Sequence, residues 1–316
     1  ELNKFEQRLL AANSHLIVSH GRYRVQLFRC PHICENNKRI QPTPCCLLGC
    51  SKHCEGTLKI DDAICMLYSK PTNKWISKYI ISIITEREGW IYSPMLVCLS
   101  ITNVDIFDSL LRPLFIKSSM SLKYNIFFLM HQYCYYDETK HSHFVSKAKL
   151  HCIALKMCLS IDDRYDVIQT ENLLDLVRTL THNFSKQSIE WLYQTKNKLF
   201  KNVHNTKGIR YFFNPNKYIV DIDVEEMSEF SSTSKPVKIP LVSRFKKYNI
   251  IWKFDDVRHD LVSTTLKNIT QHYIERDNNM ILANNTYYVY PYGYNEGVIE
   301  MVPDSVTLNQ LQKQLV

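Results

Sequence analysis

The spacing of apolar positions changes near residue 200. From residue 58 to 159 they recur at helical intervals, as in Leu110, Leu114 and Phe115, or Ile126, Phe127, Met130 and Tyr133. Pro71-Thr-Asn73, Glu88-Gly89, Ser93-Pro94, Thr102-Asn103, Arg112-Pro113, Ser118-Ser119 and Asp137-Glu138-Thr139 punctuate the stretch and predict short helices between them. Each helix is apolar over a broad face, so neighbours must stack to cover one another, which predicts a solenoid-like array. Helices over 172–180 and 187–200 lead out of it, and Ser, Asn and Lys then mark a boundary near 200.

Beyond that boundary the pattern becomes that of strands, over 209–213, 218–222, 237–242 and 248–252, separated by Asn214-Pro-Asn216 and Ser-rich turns. The last strand runs into a helix whose apolar positions are Leu261 or Val262, Leu266, Ile269 and Tyr273. The expected fold class is α+β: a helical accessory domain over 58–200, then an antiparallel β-rich lobe over 201–316. Residues 1–57 stay unassigned. Phe5, Leu9, Leu10, Leu16 and Ile17 suggest a helix there, followed by a basic strand-like run, Arg22 to Arg29, and a Cys-rich loop.

Composition narrows the classes. With 316 residues and 45% hydrophobic content the chain can fill two cores. No apolar run approaches the roughly 20 residues of a membrane span. The charged opening, Glu1-Leu-Asn-Lys-Phe-Glu-Gln-Arg8, is unlike a signal peptide and lacks an initiator Met, so a fragment of an intracellular protein is expected. The formal charge of +8 suits an anionic partner, but the basic residues form no dense block, and nucleic acid is not expected.

Of eleven cysteines, Cys65, Cys98, Cys134, Cys152 and Cys158 lie in apolar helical patterns, where Cys acts as a small hydrophobe. The other six, Cys30, Cys34, Cys45, Cys46, Cys50 and Cys54, cluster with His32 and His53. They lack the paired C-x2-C spacing of a tetrahedral zinc site, so reduced thiols and no metal are expected.

Lys253 ends the strand over 248–252 and an acidic turn follows it. The segment Lys253-Phe-Asp255-Asp256-Val-Arg258-His259-Asp260 resembles K-x-G-D-D-x-R-Q-[DE] of the phosphatidylinositol 3- and 4-kinase superfamily, one residue shorter, without the glycine and with His259 for glutamine. Tyr290-Pro291-Tyr292 and Gly297-Val-Ile-Glu-Met-Val-Pro-Asp304 resemble, in the same order, the family's P-Y strand and G-x-I-E hinge, joined by a shorter link. Phe230-Ser-Ser-Thr-Ser-Lys-Pro236 resembles its S-x-x-K-x-P phosphate loop. Small hydroxyl residues there let backbone N–H groups approach phosphate oxygens while a lysine adds charge.

The resemblance implies the N-lobe of a lipid kinase that binds ATP and Mg2+. Lys253 would contact the phosphates, and Asp260 would line the pocket with Tyr288 or Tyr290 nearby. Ile299 would form its back wall, while the Glu300 carbonyl and Val302 N–H would read the adenine edge. Ser231, Ser232, Thr233, Ser234 and Lys235 would form the phosphate loop. The family's catalytic base in D-R-H-x-x-N and metal-binding acid in D-F-G have no counterpart here, and Asp163-Arg164-Tyr165 is no substitute. No catalytic or metal-binding residue is therefore assigned in this chain, and those functions are expected in a C-lobe.

Gly297 to Ser305, the segment Leu308-Asn-Gln-Leu-Gln-Lys-Gln314 and Ala63 to Pro71 look most like the type III phosphatidylinositol 4-kinases. The expected substrate is phosphatidylinositol at an intracellular membrane surface, approached from the cytoplasm, with protein partners through the helical domain. The alternatives are a class III phosphatidylinositol 3-kinase and a catalytically dead scaffold derived from this family.

Overall fold

The computed structural model describes residues 60–69, 74–201, 203, 207–278, 287–302 and 305. The helix expected over 1–20 and the Cys30 to Cys54 cluster lie outside them. Among the described residues, eleven helical segments precede the strands: α1 (Ile60–Ser69), α2 (Lys74–Ile83), α3 (Glu86–Thr102), α4 (Val104–Ile106), a π turn (Phe107–Leu111), α5 (Arg112–Lys117), α6 (Met120–His131), a 3-10 turn (Gln132–Tyr135), α7 (Glu138–Met157), α8 (Ile161–Asn183) and α9 (Ile189–Phe200). Then come β1 (Ile209–Tyr211), β2 (Asn214–Ile219), β3 (Asp221–Ile222), β4 (Ser228–Glu229), β5 (Val237–Val242), β6 (Lys247–Lys253), α10 (Arg258–Asn278), β7 (Val289–Pro291) and β8 (Gly297–Glu300). The chain is thus a mixture of helix and antiparallel sheet, as the α+β expectation requires. Among the described residues no helix is long and apolar enough to cross a membrane.

Several helix starts follow from local chemistry. Thr85 and Glu88 form a reciprocal capping box, the Thr85 N–H donating to Glu88 Oε2 at 2.9 Å and the Glu88 N–H to Thr85 Oγ1 at 3.2 Å. Ser119, Ser160 and Ser188 cap α6, α8 and α9 by accepting from N–H groups three residues on. The breaks expected at Gly89 and at Pro94 do not occur. α3 runs through Gly89, whose missing side chain admits Leu122, since a Cβ there would stand 2.5 Å from Leu122 Cδ2. It also runs through Pro94. Pro94 cannot donate to the Trp90 carbonyl, but the Ser93 hydroxyl does so at 3.0 Å.

The chain divides into two compact units. Of the described residues, those up to Glu88 together with Thr102–Leu114 form the first, in which Ile64, Leu67, Ile80, Ile106 and Leu110 are fully buried. Gly89–Ile101 and the residues from Phe115 onward form the second, which holds both sheets. β1 and β2 pair as a hairpin, and the larger antiparallel sheet runs β3-β5-β6-β8-β7, with β4 on the same edge of β5 as β3.

The two faces of this sheet differ. Ile239 and Leu241 of β5, Ile250 and Trp252 of β6, Val298 of β8 and Tyr290 of β7 share one face, and all are buried. Phe128 of α6 meets Tyr290 there, ring to ring at 6.1 Å. Residues offset by one strand position, Lys238, Asn249, Ile251 and Lys253, lie on the opposite face and are half-buried.

Cysteine behaves as a small hydrophobe at Cys152, which is buried, but Cys65 and Cys98 are exposed and Cys134 and Cys158 half-buried. Helical spacing places a residue on a stripe without fixing whether a neighbour covers it.

Candidate functional site

The open face is organised by the end of β6. Lys253 pairs with Gly297 of β8, and the chain turns sharply after it. Val257 lands directly on Gly297: a Cβ at 297 would lie 2.2 Å from Val257 Cγ2 and 2.8 Å from the Tyr290 carbonyl. Glycine is needed here for close approach. Val257 thereby joins Val289 and Ile299 in a buried cluster against which Leu261 and Tyr287 pack.

Asp256 then starts α10. Its Oδ1 accepts from the Arg258 N–H at 3.1 Å, and its carboxylate pairs with the guanidinium at 2.6 Å and 2.5 Å. The Arg258 hydrogen bond holds the Asp256 carboxyl below the usual carboxylate range. Arg258 also lies over the rings of Tyr136 and Tyr294, at 5.2 and 4.5 Å. With α10 fixed in this way, its first turn brings Asp260 Oδ2 to 3.4 Å from Lys253 Nζ, the two side chains being 31% and 35% exposed.

The predicted phosphate loop is the tip of the β4–β5 hairpin. Glu229 pairs with Val237, and the Phe230 N–H donates to the Pro236 carbonyl at 2.9 Å. Inside it the Lys235 N–H closes a turn onto the Ser232 carbonyl at 3.0 Å, and Lys235 adopts the left-handed φ of 42°. Ser231, Ser232, Thr233 and Lys235 are exposed and Ser234 half-buried, while Lys235 Nζ stands 3.6 Å from Glu229. Because Val237 lies opposite Trp252, this loop leaves the sheet at the end where Lys253 stands.

The predicted hinge lies toward the other end. Glu300 pairs with Ile250, its N–H donates to the Tyr288 carbonyl at 2.8 Å, and the Met301 N–H donates to the Asn249 carbonyl at 3.0 Å. Desolvation raises the Glu300 carboxyl above its usual range. Val302 follows as an exposed residue. Four strand positions separate Asn249 from Lys253, a distance of about 13 Å along β6.

Lys253, Asp260 and Ile299 thus converge where α10 meets the sheet, with the Ser231 to Lys235 loop beside them and Glu300 and Val302 at the far end. Tyr288 and Tyr290 do not join them. Tyr290 is buried on the opposite face, where its hydroxyl lies 2.7 Å from His131 Nδ1. Tyr288 stacks on Phe213, centroids 5.8 Å apart. Sequence reasoning missed Lys238, which lies directly opposite Ile251 on the open face. The alternation of β5 carried that signal, since Val237, Ile239 and Leu241 had to face the core. It also missed Glu296, which accepts from the Trp252 indole N–H at 3.1 Å and pairs with Arg178 and His182, each at 2.7 Å.

No protein-family model matches the chain. Over 94 residues it is 34% identical to the phosphatidylinositol 3-kinase piki-1 of Caenorhabditis elegans. The relative is a lipid kinase. The match takes in 29% of this chain and 6% of that protein, and it supports a relationship to a phosphatidylinositol kinase over that span.

Proposed function

We propose that this lobe is the nucleotide-holding part of a phosphatidylinositol kinase and that ATP lies along the open face of β6. The observation that carries the reading is Lys253 beside Asp260 at one end of that face, 3.4 Å apart, with a hydroxyl-rich hairpin loop adjoining them. Triphosphate and adenine need a cationic end and a backbone-edged end. The Lys253 and Lys235 region supplies the first, and the Glu300 to Val302 segment the second. Lys253 binds phosphate oxygens, Asp260 holds the ammonium in place, and Ile299 backs the pocket. Lys238 adds a third cation midway, opposite Ile251.

The donor set fits the phosphates of ATP: ammonium groups, hydroxyls and backbone N–H groups. The carboxylates beside them are engaged, Asp260 by Lys253 at 3.4 Å and Asp256 by the Arg258 guanidinium at 2.6 Å, so none of the described residues is assigned to Mg2+, which one or two carboxylates and the phosphates themselves would hold. The phosphoryl transfer of the whole kinase would join an inositol hydroxyl oxygen to the γ-phosphorus as the bond to the bridging oxygen breaks. The residues described bind and orient the nucleotide for that step.

The resemblance of the hinge segment to type III 4-kinases and the 3-kinase name of the relative point to different ring positions, so product analysis of the whole kinase decides the position. For this chain the test is calorimetric titration with ATP. Weak binding is expected, and Lys253→Met should reduce it about 10- to 100-fold through loss of a charge-assisted contact. Unchanged ATP affinity in a folded Lys253→Met protein refutes the assignment.

A further inference from the structure

We propose that the tip of the β5–β6 hairpin is a membrane anchor for an anionic bilayer, with Phe245 as the inserting side chain. Phe245 is 96% exposed, yet the turn that bears it is tightly held. The Ser243 N–H donates to the Lys246 carbonyl at 3.0 Å, and the Ser243 hydroxyl donates to the same carbonyl at 2.7 Å. Ser243 Oγ also accepts from the Phe245 and Lys246 N–H groups at 3.2 and 3.0 Å. A phenyl ring kept in water by an ordered turn lacks the freedom to fold back onto the protein, whereas an interface would receive it without further ordering cost.

The surrounding charge indicates which interface. Arg244 and Lys246 flank the ring in sequence and are exposed. Lys246 and Lys217 both lie over the Tyr248 ring, at 5.0 and 4.8 Å, which brings a third cation to the same end of the sheet. Two acids of this region, Asp223 and Glu226, are engaged by Lys247 at 2.7 Å and 2.8 Å. Lys217 and Lys246 also lie within electrostatic reach of Glu300, whose carboxyl desolvation raises. An exposed aromatic tip within a ring of cations matches an acyl surface bordered by anionic headgroups. The choice of a lipid surface rests on the proposed lipid substrate, but the anchor stands on its own geometry.

The experiment is co-sedimentation of the full chain with vesicles of phosphatidylcholine alone and of phosphatidylcholine mixed with phosphatidylserine. Binding is expected to the mixed vesicles, falling as salt rises. Phe245→Ser should weaken it about tenfold, and Lys246→Glu by about fivefold or more. Because Phe245 contacts solvent, these proteins should keep the wild-type circular dichroism spectrum. Phe245→Trp should still bind, with an emission shift to the blue on vesicles that is absent in buffer. Equal binding to both vesicle types, unchanged binding by both loss variants, or loss of self-association alone in Phe245→Ser overturns the anchor. Lys253→Met should bind vesicles normally and Phe245→Ser should bind ATP normally, so failure of the nucleotide reading leaves a separate signature.

Discussion

Gly297→Ala tests whether the fit between α10 and the sheet holds the candidate site together. The added methyl would stand 2.2 Å from Val257 Cγ2, 2.8 Å from the Tyr290 carbonyl oxygen and 3.1 Å from Pro291 Cα. The latter two contacts are backbone within the sheet, so relief must come from Val257, which is itself 1% exposed. Overpacking of this kind costs about 1–3 kcal/mol, and a value near the top of that range, about 3 kcal/mol, is expected because two of the three contacts cannot retreat. The start of α10 should lift from β8 and carry Asp260 away from Lys253. Since the chain has two units, global melting need not be two-state, and local hydrogen exchange is the better assay. Amides of β6 and β8 should exchange about 100-fold faster, the equivalent of about 2.8 kcal/mol. Val257→Ala removes the closest contact, so Gly297→Ala should cost about 1–2 kcal/mol less in that background. Wild-type exchange in Gly297→Ala, or strict additivity in the double variant, would refute the reasoning.

Two further outcomes follow, one from the loop at the site and one from the covered side of the sheet. Lys235→Gly should stabilise the hairpin by about 1 kcal/mol relative to Lys235→Ala, because only glycine adopts φ 42° without strain, as paired thermal melts would show; equal melting of the two would contradict this. Burial of Glu171 pulls its carboxyl up, but the His131 and Lys156 hydrogen bonds outweigh that effect and leave it lowered. A lowered carboxyl stabilises the fold above its unfolded value, about 4.3, and that contribution disappears as pH falls through the folded value. Glu171→Gln should therefore be less stable than wild type near neutrality, by about 1–3 kcal/mol, and similar to it in acid; a gap that persists in acid would show the effect to be steric.

Period-two alternation sufficed for β5 and β6, where the expected spans 237–242 and 248–252 lie within a residue of Val237–Val242 and Lys247–Lys253. The helix α10 begins at Arg258, earlier than its apolar positions indicate, because the Asp256 side chain supplies the first hydrogen bond. α8 likewise extends from Ile161 to Asn183, well beyond the 172–180 suggested by its leucines, since Ser160 caps it and polar residues fill its outer side. Proline and glycine misled the reading of α3, because tolerance of each depended on one partner, Ser93 or Leu122, that composition does not reveal. Contacts such as His131 with Tyr290, 159 residues apart, leave no local trace.

Which face of the sheet can hold a ligand is decided by the polar groups on the covered side. Tyr290 is engaged by His131 at 2.7 Å, Tyr292 by the Asp175 carboxylate, and the Trp252 indole by Glu296 at 3.1 Å. Each contact satisfies a group that would be costly to bury unpaired, and together they commit that face to the helices. Strand alternation then leaves Lys253 on the other face, since a shift of one residue would bury its ammonium and expose Trp252. The turn after Lys253 is a residue shorter than the K-x-G-D-D pattern, which would be expected to pull Asp260 out of reach. It does not, because the side chain absent from Gly297 lets Val257 rest on the strand itself. The glycine missing from the turn is matched by a glycine on the strand it packs against, and the Lys253 to Asp260 approach depends on that second position.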